Sequence, residues 1–312
     1  MVRLFKQKLP LREQGFTLAE VLIAIIITTL FVGVTMQGMV IAVLFRVKAQ
    51  EYTEATSWIQ EDLEDVKYKA DNFQFPQTKL TADAIAGSSS ITVVSSQNPS
   101  NIFAANDTLK VGLDPAIYKV TVINGNSLTI TPNLGTTQFQ NAAVIATKMC
   151  NPSAKNAGLA DGLRDTLTGA STVDSSYPVP DLTRTIRTGK SLSLRRTTTL
   201  SDALPYNVLQ VSYLVWPTSQ KATLTSDVAV GVSSINVTSN VALSSLFKTN
   251  DSLKVGLDPV TYKVTEINGN TLTITPSLGT AQSQNSLVIA TRNITAQFYT
   301  EVIPSVAFQC SK

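Results

Sequence analysis

Thirty consecutive residues, Phe16 to Phe45, contain a single charge, Glu20, and Arg46 ends the run. As an α-helix this stretch is about 45 Å long, more than the ~30 Å hydrocarbon thickness of a bilayer. Arg3, Lys6, Lys8 and Arg12 precede it, an asymmetry that predicts a cytoplasmic N-terminus with the remainder outside. A secretory signal has a shorter apolar region with a small-residue cleavage site behind it. Here the small residue, Gly15, stands in front, so a cut there leaves the helix attached to the mature chain. An acid at mid-bilayer costs about 2.5–3.5 kcal/mol even on the gentlest scale, so Glu20 calls for a partner.

Gly15, Phe16, Thr17, Leu18, Ala19 and Glu20, behind a short basic leader and ahead of an apolar helix, resemble the N-terminus of the type IV prepilin family. The resemblance implies cleavage after Gly15 and methylation of the new Phe16 amine by a membrane prepilin peptidase. It also implies helix packing with other pilins in a filament core, and handling by an inner-membrane assembly platform. The expected location is the bacterial inner membrane as a single-pass protein, then the pilus and cell surface. The physical chemistry agrees: a Phe16 α-amine among apolar helices is a cation that Glu20 of a neighbouring subunit can neutralise. Removing one member of such a buried pair costs about 3–5 kcal/mol. The bland alternative is a plain signal anchor with an acid near the cytoplasmic interface. Where many major pilins carry a helix-kinking proline, this chain has Gly33-Val-Thr-Met-Gln-Gly38. Gly33 and Gly38 supply local helix weakness of about 1 kcal/mol each, or close helix packing in the membrane.

Beyond Arg46, Tyr52, Ala55, Ile59, Leu63 and Val66 recur at helical spacing beside Trp58, which extends the helix to about Lys69. Glu61, Asp62, Glu64 and Asp65 read as a solvated face, because consecutive acids on a helix point in different directions.

The body contains a duplication. Asn106–Lys148 returns as Asn250–Arg292 at a constant offset of 144, with 32 of 43 positions identical. A weaker match extends back to Asp83 with Asp227 and Gly87 with Gly231. Within each copy apolar residues alternate with polar ones: Leu109 and Val111; Tyr118, Val120 and Val122; Leu128 and Ile130. Asn124-Gly125 and Asn268-Gly269 are hairpin signals. Each copy is expected to be a small β-unit, similar to β modules of phage virions and bacterial surface proteins. Asp107, Asp114, Asp251 and Asp258 lack the clustered acids of a calcium loop, and Asp before Pro is turn chemistry. Tyr118 and Tyr262 read as core.

Outside the copies, 181–188, 191–200, 206–216 and 293–303 read as antiparallel strands, the third apolar on both faces and therefore central. The expected fold class is α+β: a long N-terminal transmembrane and amphipathic helix packed on an antiparallel pilin-like sheet, with two inserted all-β modules. The expected divisions are a leader at 1–15 and a helix at 16–69, transmembrane over 16–45. A first module follows at 79–149 and a second at 221–292, with a sheet domain at 150–220 plus 293–312. Arg184, Arg187, Lys190, Arg195 and Arg196 form the local basic cluster, read as an exposed sheet face or a DNA contact. Cys150 and Cys310 are a disulfide in an oxidising compartment, or two buried thiols.

Charge adds little. Of 25 basic and 22 acidic residues the leader takes four and one, so the mature body carries 21 of each and has no global pull on nucleic acid. There is no histidine, and neither a phosphate loop nor metal-ligand spacing appears. No cofactor or metal is expected, and no enzymatic activity. The reading is a minor type IV pilin involved in pilus assembly and surface display. The alternatives are an adhesin or DNA-contact subunit using the repeats or the basic strand, or a type II secretion pseudopilin.

Overall fold

The computed structural model describes residues 17–94, 99–150, 152, 157–168, 181–256 and 258–310; Gly15 and Phe16 lie outside them. The protein is α+β, a long N-terminal apolar helix followed by antiparallel sheets. It divides into two units, 1–51 and 52–312. One 54-residue helix, α1 (Leu18–Asp71), supplies the described part of the first unit apart from Thr17 and opens the second.

In the first unit the large apolar side chains from Leu18 to Phe45 are exposed, and an 18-residue window reaches a mean hydropathy of 2.4. It is long and apolar enough to cross a membrane. Its hydroxyls are turned inward: Thr28 donates to Ala24 O at 2.7 Å, Thr29 to Ile25 O at 2.9 Å and Thr35 to Phe31 O at 2.9 Å. That leaves fewer polar groups seeking water inside lipid. The helix runs unbroken through Gly33 and Gly38, and a Cβ at either would meet nothing within 4 Å.

In the second unit the last turns of α1 lie on a four-stranded antiparallel sheet ordered β16-β9-β8-β7. Its strands are β7 (Leu182–Thr185), β8 (Ser191–Leu200), β9 (Leu209–Pro217) and β16 (Ala296–Val302). Ala55, Ile59, Leu63 and Val66 of α1 bury against Leu192, Leu194, Leu209, Val211, Tyr213 and Val215. Fully burying one such side chain contributes about 1.5–3 kcal/mol, so this face outweighs any helix propensity. A ten-residue helix, α2 (Leu159–Thr168), adds Ala160, Leu163 and Leu167 to the same core. Gly162 permits its approach, because a Cβ there would sit 2.8 Å from Phe73.

The first repeat comprises β1 (Gln77–Lys79), β2 (Ser90–Thr92), β3 (Thr108–Val111), β4 (Tyr118–Asn124), β5 (Ser127–Thr131) and β6 (Ala143–Ala146). They form a sheet ordered β1-β6-β3-β4-β5-β2, whose ends meet at a Leu80–Val93 bridge. The second comprises β10 (Ala222–Leu224), β11 (Ser234–Thr238), β12 (Ser252–Val255), β13 (Tyr262–Asn268), β14 (Thr271–Thr275) and β15 (Leu287–Ala290), a closed barrel ordered β10-β11-β14-β13-β12-β15. Both are small barrels with apolar interiors, and closure removes the open edges a short sheet would expose. The expected alternation fails at one point. A register shift between Val120 and Val122 turns Val122 outward, where it is exposed.

The chain leaves the sheet after β9, builds the second barrel, and returns on β16, the strand paired with β9. On the sheet face away from α1, Trp216 packs with Leu287 and Ile289 of β15. A Cys150–Cys310 disulfide, spanning 160 residues, links the end of the first barrel to the C-terminal turn beside Phe75, Leu159 and Val306.

Candidate functional site

Glu20 sits in the first turn of α1, and Thr17 caps that turn. The Glu20 amide donates to Thr17 Oγ1 at 3.3 Å, while Glu20 Oε2 accepts the Thr17 amide at 3.0 Å and its hydroxyl at 3.1 Å. This is a reciprocal capping box, which satisfies two amides that the start of a helix leaves open. It also holds the carboxylate at the end of the helix from which the Phe16 amine would extend. Thr17 is the residue that sequence reasoning treated only as part of a motif; the threonine-to-acid spacing of three was the available signal.

The basic cluster does not form one surface. Arg184 pairs with Glu61 at 2.9 Å and lies over the Trp58 ring at 4.9 Å. Arg196 is buried on the α1 side of β8, pairs with Asp62 at 2.8 Å and donates to Leu167 O at 3.4 Å. Arg195, its neighbour, points to the opposite face, pairs with Asp181 at 2.7 Å and lies over Trp216 at 5.7 Å. Lys221 shares Asp181 at 3.1 Å. Burial pushes the Asp181 pKa up, but the bonds and charges of Arg195 and Lys221 outweigh it and lower the value. At Arg187 the main-chain amide donates to Glu54 Oε2 at 3.1 Å. Lys190 lies in the turn between β7 and β8. The expectation of a wholly solvated acidic face is corrected at Asp62, which is drawn onto the sheet by Arg196; Glu61 reaches Arg184 while staying exposed, as do Glu64 and Asp65. Burial and the Asp62 charge push the Tyr213 hydroxyl upward in pKa. The Arg184–Glu61 and Arg196–Asp62 pairs, with the Arg187 amide on Glu54, join α1 to the sheet.

In the barrels the aspartates close loops. Asp114 accepts the amides of Ala116 at 3.0 Å and Thr136 at 2.8 Å and the Thr136 hydroxyl at 2.8 Å, and Asp258 does the same with Val260 and Thr280. Burial raises the Asp114 pKa, yet the bonds from Ala116, Thr136 and Tyr118 prevail and bring it down to about 2. Asp258 is lowered for the same balance of causes. Asp107 accepts the Ala104 amide and pairs with Lys148, as Asp251 does with the Lys248 amide and Arg292. Among the described residues no cluster of three His, Cys, Asp or Glu side chains is placed to hold a metal. Tyr118 and Tyr262 are buried, and each hydroxyl accepts a glycine amide, at 2.8 and 2.9 Å.

Curated proteins show no match to this chain. A family model described as the prokaryotic N-terminal methylation motif matches residues 10–36, the stretch that holds Gly15, Phe16, Glu20 and Gly33. Together with the apolar helix that follows, this motif supports a type IV pilin-like prepilin, a pilin or pseudopilin type of substrate for prepilin peptidase, anchored in a membrane before assembly.

Proposed function

We propose that the protein is a minor, non-enzymatic subunit of a type IV pilus, cleaved after Gly15, methylated on Phe16 and locked into register by Glu20. The observation that carries this reading is the methylation motif continuous with an apolar helix whose lone acid lies in its first turn. The chain of 312 residues with two added barrels is bulky for a subunit packed thousands of times, which favours a low-copy place. Both barrels are read as insertions into a pilin-like sheet domain, the second at a β9–β16 hairpin, where inserted modules are tolerated.

Glu20→Ala tests the reading. Loss of a buried pair worth about 3–5 kcal/mol lowers filament incorporation by about 10²–10⁴-fold, while membrane insertion and processing persist. Incorporation at the normal level, seen by immunoblot of sheared filaments, sinks the pairing. One observation favours a surface-binding role in addition: Ile85, Leu113 and Phe139 stand exposed at one end of the first barrel. Type II secretion pseudopilins share the motif logic, and immunogold localisation to pili separates that reading from this one.

A further inference from the structure

The two edges of the four-stranded sheet are treated differently. β7 is four residues long and carries Arg184, tied to Glu61. Such short, charged edges resist pairing with other chains. β16 is seven residues, Ala-Gln-Phe-Tyr-Thr-Glu-Val, with no proline, no lysine and no bulge in its pairing with β9.

The hydrogen-bond parity shows what this edge offers. At the two ends of the β8–β9 ladder, the Ser201 amide donates to Val208 O at 3.2 Å and the Thr218 amide to Ser191 O at 2.9 Å. Even-numbered residues of β9 therefore bond to β8, and odd-numbered ones face β16. Their partners there are Ala296, Phe298, Thr300 and Val302. The main-chain groups of Gln297, Tyr299 and Glu301 consequently point away from the sheet.

Beside this edge runs a groove of about 460 Å³. One wall is a stripe of α1, including Tyr52, Thr56, Ile59, Leu63 and Lys67, and the other is Phe298 with Gln297. The stripe covers about 22 Å at 1.5 Å per residue, room for six or seven residues of extended chain. Phe298 faces α1 in the same register as Ala296 and Val302, yet it is 41% exposed while they are buried.

We infer that β16 is an acceptor edge, on which an extended segment of a neighbouring filament subunit adds as a fifth strand. Unpaired main-chain groups in a row recognise another main chain, and the groove takes alternate side chains. A neighbour fits better than a symmetric pair of copies, because helical filaments join subunits through heterologous contacts. This inference rests on the filament reading above.

The test is amide hydrogen exchange on the full-length chain, purified in detergent and within filaments. Gln297, Tyr299 and Glu301 are expected to exchange freely in the purified chain and at least about tenfold more slowly in filaments. Tyr299→Pro removes one outward N–H without breaking the β9 ladder, since edge positions accept proline. It is expected to cut incorporation about tenfold while leaving the unfolding midpoint and the disulfide unchanged. Equal exchange in filaments overturns strand addition alone. Protection that already rises with concentration in the purified chain assigns the edge to a second copy and overturns the neighbour. Absence of the chain from filaments overturns this inference together with the filament reading.

Discussion

The two barrels are one structure inside and two structures outside. The bonds that tie the shared loops match within about 0.1 Å: Gln140 and Gln284 donate their amides to Asp83 and Asp227 at 2.7 Å, and Gln138 and Gln282 bond Thr136 and Thr280 at 2.7 and 2.8 Å. Gly112 and Gly256 share a φ of +55° and +53°, and a Cβ at either would collide with that same glutamine. The outer faces have parted. Ala143 of β6 corresponds to Leu287 of β15, which is buried against Trp216. Ile85, Ile117, Val122 and Phe139, all exposed, correspond to Ala229, Thr261, Glu266 and Ser283. At a barrel end Phe139 is 72% exposed and Leu113 97%. A bridge between Ala84 and Gln138 makes Ile85 and Phe139 diagonal neighbours, and the Leu113 amide donates to Gln138 Oε1 at 3.0 Å. The second barrel is a buttress of the sheet through Leu287; at the tip the first carries Ile85 and Phe139 where the second carries Ala229 and Ser283, and the second exposes Val230 where the first has Ala86.

If that contrast is right, Trp216→Ala is the most damaging change available. It empties a buried site between sheet and second barrel, and a loss of about 3–5 kcal/mol is expected in denaturant unfolding of the full chain. An effect below about 1 kcal/mol would dissolve the buttress. Next come Asp114→Ala and Asp258→Ala, which remove the charged acceptor of part-buried loop amides at about 1–3 kcal/mol each. The two costs should agree within about 0.5 kcal/mol if the interiors are equivalent. The same carboxylates set an acid limit. Their folded pKa values are depressed from about 3.9, Asp114 to about 2. Each contribution is present above pH ~4 and is lost as pH falls through the depressed pKa, toward 2 for Asp114. Acid titration should show Asp114→Asn and Asp258→Asn each flattening that transition. Smallest of all is the rim exchange. Ile85→Ala, Ile117→Thr and Phe139→Ser copy residues the second barrel already carries, so each should shift stability by less than about 0.5 kcal/mol. A larger loss would mean that the tip supports the fold.

The strands were legible because closed barrels keep the period of two: Leu109 and Val111, Val120, and Leu128 and Ile130 all point inward. The hairpin that Asn-Gly announces is present but shifted by one residue: Asn124 pairs with Ser127, and Gly125 at φ +54° opens the two-residue turn with Asn126. Val122 defeated the same rule, since one extra residue reverses the faces. Asp62 was misread for another reason. Within a local acidic run it looks solvated, and only Arg196, 134 residues away, takes it out of water. The helix α2 left no local signal, because Gly162 reads as a breaker until Phe73 explains it. At the N-terminus the motif was legible residue by residue. The capping box depends on side-chain direction, which spacing alone suggests but does not determine.

The Cys150–Cys310 bond has a consequence for a body exposed to proteases. A single cut anywhere between Cys150 and Cys310, 160 positions apart, leaves one covalent molecule, still joined to its N-terminal helix. The first barrel lies upstream of that ring, so a nick there parts the long apolar helix from everything downstream. One half of the duplication is insured against scission, and the other is the fuse.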